Sequence, residues 1–203
     1  MKKYELTEET VTVYGKTLYR IRAVRDFGSV KTGEFGGYIE KEENLSHFGN
    51  AWISGDARVS GDARVFDNAK VYGDARVYGD ARVFDNAKVY GDARVSGNAK
   101  VYGDARVSGD AWVYGNAWVY GNAEVFNTRH FFVQGPIGSR DGYVTFYRTK
   151  DDTIGVRCGC FSGSLQKFVD RVEETHGGSR YEKEYKIAAE LAKVCIRLEG
   201  ESR

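Results

Sequence analysis

Three histidines, three cysteines and one glycine-rich link are the places where this chain could do chemistry. The link reads GPIGSR over residues 135–140. Gly135, Gly138 and Ser139 can offer backbone N–H groups to an anion, and Arg140 follows at once with a forked positive charge. Arg157 and His176 are candidate helpers, and Arg129, Arg148 and Lys150 add positive charge nearby in sequence. The glycine spacing is not that of a Walker loop, and no Lys-Ser pair follows it. These six residues, Gly135, Gly138, Ser139, Arg140, Arg157 and His176, form a candidate site for a small anionic ligand. The same glycines would also serve as an ordinary hairpin connection between solvated charges.

A thiol reading pairs Cys158 or Cys160 with His176 as nucleophile and base. No residues around either cysteine match a nucleophile signature, and free cysteines commonly pack as small apolar groups. A zinc reading would take Cys158, Cys160, His176 and Cys195, but Cys-x-Cys is not the usual Cys-x2-Cys knuckle. The sequence therefore assigns no catalytic residue, no metal ligand and no cofactor.

The elements that must position these groups are dominated by a repeat. From Gly49 to Phe126 the chain is 13 consecutive six-residue units of the type GDARVY. Every unit has Ala third and Val fifth, except the first, which has Ile53. The second residue is Asp or Asn, and the first is Gly except at Asp67 and Asp85. With a side-chain period of two, Ala and Val point one way while Arg, Lys, Tyr, Ser and Trp point the other. Gly followed by Asp or Asn tolerates positive φ and turns a corner. Each unit is thus a short strand plus a sharp corner. Helix is excluded, because a glycine in every unit would cost about 1 kcal/mol each. The stretches 66–83 and 84–101 match except where Tyr78, Asp80 and Arg82 give way to Ser96, Asn98 and Lys100. Each stretch is three units long, as one turn of a three-sided coil would be, and a tandem duplication would give the same match.

These units closely resemble the hexapeptide-repeat proteins, in which a small residue follows an aliphatic one by four positions, as Val59 to Ala63 and Val65 to Ala69 do here. The resemblance implies a left-handed parallel β-helix, and the handedness rests on it alone. Many such proteins are acyltransferases that use a histidine base and an acyl carrier such as CoA. Here His47, His130 and His176 all lie outside the clean array, and the array carries no inserted loop. The flanks, LYRIRAVRDFGSVKTGEFGGYIEKEENLSHFGNAWI before the repeats and GPIGSRDGYVTFYRTKDDTIGVRCGCF after them, resemble uncharacterised bacterial and bacteriophage proteins described as hexapeptide-repeat or polymer-forming. That resemblance implies a phage or prophage origin and brings no activity with it.

The fold expected is mainly β in three parts. Residues 1–36 form an N-terminal β cap, with VTVYGKTLYRIRAV as a strand pair. Residues 37–126 form about five coils, roughly 24 Å tall, with Ile39 and Leu45 in the alanine slot. Residues 127–203 form a small α+β domain. Its strands fall at about 130–134, 143–149 and 153–158, a helix at 165–176 and a last helix from about 181 to 198. Solenoid ends are open edges, which the two flanks would cover.

The outward positions stack Phe66, Phe84, Tyr102 and Tyr120 in one column, with Arg64, Arg82, Lys100 and Trp118 beside it. An uninterrupted aromatic column is too apolar to leave in water. The face carrying Phe66, Phe84, Tyr102, Tyr120 and Trp118 is therefore the candidate self-association surface, and the resemblance favours a trimer. Residues 49–126 hold nine Lys and Arg against ten Asp and Glu, and the corner acids are expected to neutralise the basic rows. With 30 basic and 29 acidic residues in all, electrostatically driven nucleic-acid binding is not expected. No apolar run is long enough to mark a membrane span, and the start has no secretory pattern. Three unframed cysteines fit a reducing cytoplasm. Together these point to a non-enzymatic, oligomeric scaffold whose C-terminal domain binds a small phosphorylated molecule or a host protein. An acyltransferase-like or thiol-dependent enzyme is the alternative.

Overall fold

The computed structural model describes residues 2–199. A hairpin of β1 (Tyr4–Val13) and β2 (Lys16–Ala23) turns at Tyr14-Gly15, both at positive φ. β2 pairs antiparallel with β3 (Phe35–Ile39), and β3 runs parallel to the Arg58–Val59 strand. Thirteen two-residue strands follow, from β4 (Trp52–Ile53) to β16 (Glu124–Val125), one per six-residue unit. They stack into three parallel sheets, and each pairs with the strand three units away, as Val59 with Val77 and Val77 with Val95. The result is a β-solenoid of about five turns.

The repeat's chemistry accounts for this shape. Every Ala and Val of the 13 units, with Ile53, has no solvent exposure, so the interior is filled by one small and one branched side chain per side. The first residue of every unit has positive φ, including Asp67 at 58° and Asp85 at 56°. Aspartate tolerates this region because its short polar side chain bonds locally. The Asp85 carboxylate also links coils, its Oδ2 accepting the Gly103 N–H of the next coil at 3.1 Å.

The first coil departs from the expected phase. Ile39 aligns with Val59 and Leu45 with Val65, in each case two positions further along than the three-unit spacing of the array. They therefore occupy the valine slot rather than the alanine slot. The two extra positions lie between Leu45 and Ile53, where Phe48 is exposed and His47 packs against Tyr4 of the hairpin. A large aliphatic side chain fits the wide middle of a side and not the narrow corner, so the chain slips by two.

Beyond the solenoid, β17 (Phe131–Ile137), β18 (Gly142–Arg148), β19 (Ile154–Cys158) and β20 (Phe161–Ser164) form an antiparallel sheet in sequence order. α1 (Leu165–His176) and α2 (Arg180–Cys195) follow, capped by Ser164 and Ser179. β20 has no counterpart in the sequence reading, because Phe-Ser-Gly-Ser has the composition of a loop. β17 runs through Gly135 and Pro136 to Ile137, so half of GPIGSR is strand and only residues 138–141 turn. The last helix ends at Cys195, short of the expected 198.

β18 is buried on both faces from Val144 to Arg148. Val144 and Phe146 join Phe168, Val172, Ala189 and Ala192 in the C-terminal core. Thr145, Tyr147 and Thr149 face the solenoid instead. Thr145 Oγ1 accepts the Trp118 N–H at 2.9 Å, Ala123 bridges Thr149, and the Lys150 N–H reaches Asn122 O at 2.9 Å. Tyr147 and Phe131 complete the solenoid's own core. The last coil thus meets side chains and backbone of the C-terminal sheet.

Candidate functional site

The junction between solenoid and C-terminal sheet opens into a cleft of about 700 Å3. Its walls come from the 138–141 turn, the hairpin between β19 and β20, the C-terminal half of α1, and Asn116 and Trp118 of the solenoid. Ser139, Arg140, Arg157 and His176, expected together from sequence, all line it. Gly135 and Gly138 do not. Gly135 sits inside β17 opposite Tyr143, and the Gly138 N–H donates to Glu184 Oε2 at 2.7 Å. The donor meant for a ligand is therefore held by a carboxylate of α2. Gly138 has φ +75° and a Cβ there would collide with the Tyr185 hydroxyl, so the glycine serves helix packing.

Arg157 is the best-fixed cation of the cleft. Its Nη1 donates to Cys160 O and Phe161 O, both at 3.3 Å, which ties it across its own hairpin. Its guanidinium lies 5.5 Å from the Trp118 ring centroid and 5.6 Å from that of Tyr120. Lys100 Nζ lies 4.2 Å from the Trp118 centroid, so that ring is flanked by two cations. No carboxylate lies within 4.0 Å of Arg157 among the described residues, and its Nε is buried without a hydrogen-bond partner. Arg140 is exposed, and Arg171 adds a third guanidinium, paired at the surface with Glu174 at 3.2 Å. Among the described residues, no Asp or Glu lines the cleft. Trp118, Tyr143 and Phe168 give it aromatic walls.

Sequence reasoning places Trp118 on a self-association face and does not single out Arg171. Nothing in residues 115–120 distinguishes Trp118 from an outward rung; only the docking of β18 turns it inward. The same docking bears on the aromatic column. Phe66, Phe84 and Tyr102 stack with centroids 4.9 and 4.7 Å apart, and Tyr120 continues at 4.6 Å. The Trp118 and Tyr120 end is occupied by the chain's own Arg157, which also reaches Tyr102.

The thiols and histidines show where enzyme chemistry could reside. Cys158 and Cys160 line the cleft with His176, whereas Cys195 does not. Burial pushes the Cys158 thiol up, opposite to what a thiolate nucleophile requires. Among the described residues, no group of three or more His, Cys, Asp or Glu is placed to hold a metal. His47 stacks on Tyr4 at 4.3 Å, and its Nδ1 accepts the Lys3 N–H at 3.4 Å. His130 Nδ1 accepts the Phe126 N–H at 3.1 Å where the solenoid ends. Both rings act as structural acceptors.

Burial, helped by Arg148, lowers the His130 pKa from 6.5. The neutral ring therefore contributes stability that is complete above pH 6.5 and declines as the pH falls below it, towards the lowered folded value. Thermal melts should show a smaller loss on going from about pH 7.5 to about pH 5.5 for His130→Gln than for wild type. An equal loss in both would remove His130 from the pH response.

Compared with known families, the chain matches the YdcK beta solenoid repeat over residues 51–67, 57–73, 69–85, 75–89 and 99–115. All five segments lie in the array, and each is slightly shorter than one coil. The match therefore bears on the solenoid and leaves the cleft and the C-terminal helices unmatched. No curated protein matches the chain.

Proposed function

We propose that the protein is a non-enzymatic binding protein whose cleft takes a small phosphorylated, nucleotide-like molecule. The observation that carries this reading is the lining of the cleft: three guanidiniums and one imidazole beside Trp118, with no carboxylate among the described residues. Anions gain most from such a site, because Arg157 is already immobilised and no internal acid competes for it. A planar group would lie against Trp118 or Tyr143, and the volume suits a metabolite-sized ligand.

The solenoid serves as a rigid platform that supplies one wall. We take its coil as left-handed, its N-terminal hairpin as a cap and residues 127–203 as a domain, following the hexapeptide-repeat proteins it resembles. The resemblance also supports a bacteriophage or prophage origin and self-association, with a trimer favoured. Sequestering a host metabolite would suit such a protein.

Calorimetric titration of nucleotides and phosphorylated metabolites tests the reading. Arg140 is exposed, so Arg140→Ala should leave melting unchanged and weaken binding about tenfold. Arg157→Ala should weaken it by about 10- to 100-fold, since a hydrogen bond to a charged group contributes about 1.5–3 kcal/mol. Wild-type protein that binds no phosphorylated compound below about 1 mM, or variants that bind as well as wild type, would overturn the proposal.

A further inference from the structure

A second basic site lies on another face of the molecule, away from the cleft. Arg58, Arg76 and Arg94 stand one above another on parallel strands, each paired in register with the next. Neighbouring strands lie about 4.8 Å apart, so the three arginine side chains leave the sheet at evenly spaced points along one line. The β1–β2 hairpin walls one side with Val13 and Leu18, enclosing a groove of about 260 Å3. Tyr78 projects from the same face, and Tyr14 stands at the hairpin tip, 92 % exposed.

The corner acids were expected to neutralise these rows. They do not: among the described residues, Arg106 is the one array cation that reaches a carboxylate of the array within 4.0 Å, at Glu124. Nearby acids are already paired, Asp62 away from the row and Glu40 at the hairpin edge of the groove. Asp62 pairs with Lys41 at 2.7 Å, and Glu40 is shared between Lys16 at 2.9 Å and the Gly61 N–H at 2.6 Å. Among the described residues, no Asp or Glu lines the groove, Lys16 at its edge is already paired with Glu40, and Arg58 Nε is buried without a partner.

Three uncompensated charges held in line disfavour one another, and a counter-anion would relieve that repulsion. A compact anion such as orthophosphate can meet two rungs at most. A chain of linked phosphoryl groups carries its charge along a line and meets all three. We propose that the Arg58–Arg76–Arg94 row is a binding site for a linear oligophosphate, either a free polyphosphate chain or the phosphate tail of a nucleotide. This site is independent of the cleft: its residues belong to the solenoid and hairpin and none is shared.

The test is titration calorimetry on the full chain with inorganic tripolyphosphate, ATP and orthophosphate. Tripolyphosphate should bind at least tenfold more tightly than orthophosphate, and added salt should weaken it. Arg76→Ala, which removes the central rung from an outward-facing position, should lower the tripolyphosphate affinity at least tenfold. Arg76→Lys, which keeps the charge, should lie between. ATP bound as tightly as tripolyphosphate and weakened by the same Arg76 variants would assign the row to a nucleotide tail. Tripolyphosphate binding that responds to the Arg76 variants while any ATP binding does not would assign it to free polyphosphate. Equal affinity for tripolyphosphate and orthophosphate, or an Arg76→Ala protein that binds like wild type, would overturn the site. So would binding lost only in Arg157→Ala.

Discussion

Val77→Asp leaves no folded solenoid. Val77 has no exposure and lies in the middle of its sheet, between Val59 and Val95. The interior offers no polar partner at that level, since its neighbours are the alanines and valines of adjacent units. An unpartnered carboxylate there costs several kcal/mol even if it protonates, comparable with the whole stability of a domain. The neighbouring Arg76→Ala makes the control, because Arg76 faces outward. Circular dichroism and melting should report a lost transition for Val77→Asp and a retained one for Arg76→Ala. A soluble, cooperatively melting Val77→Asp protein would contradict the assigned interior.

Truncation after Phe126 should convert the chain into an aggregating one. In the intact protein the last coil is met by Thr145, Thr149 and Lys150, while Phe131 and Tyr147 fill its end. Removing residues 127–203 would leave the strands of the last coil with unpaired backbone groups above an apolar interior, a template for joining another copy. Tyr147→Asp should act in the same direction more mildly, because it leaves the sheet in place but puts a charge where burial has pushed the tyrosine hydroxyl up to about 12. Light scattering at graded protein concentrations reads both effects. A monodisperse truncated chain of residues 1–126 would show that the last coil needs no cover.

The solenoid was legible because its physics is local and repeated. One unit contains a strand, its inward and outward faces and its corner, so reading one unit reads them all. The slip of Ile39 and Leu45 escaped this logic, since it depends on how much room a side chain finds at a corner, and the excess at His47 and Phe48 has no marker of its own. The cleft was legible in part. Arg140, Arg157 and His176 are far apart in sequence, and their convergence follows from the packing of β18 and α1, which no periodicity encodes. Gly138 looked like a free donor because Glu184, distant in sequence, could not be placed beside it. The arginine row was misread for the same reason: counting charges gives a sum, whereas neutralisation depends on which way each corner aspartate points.

The near-identity of the stretches 66–83 and 84–101 has a consequence for how such a molecule changes over generations. Because every corner is built alike and every coil takes three units, length is quantised. Gaining or losing three units lengthens or shortens the prism by one rise, about 4.8 Å, and adds or removes one rung of the arginine row, because Arg76 and Arg94 hold matching positions in the two stretches, while the cleft keeps its bearing. Gaining or losing a single unit instead swings the C-terminal helices round to the next side of the prism. One unequal crossover within the repeats therefore acts as either a ruler or a compass, setting the length of the arginine row or the side towards which the cleft points.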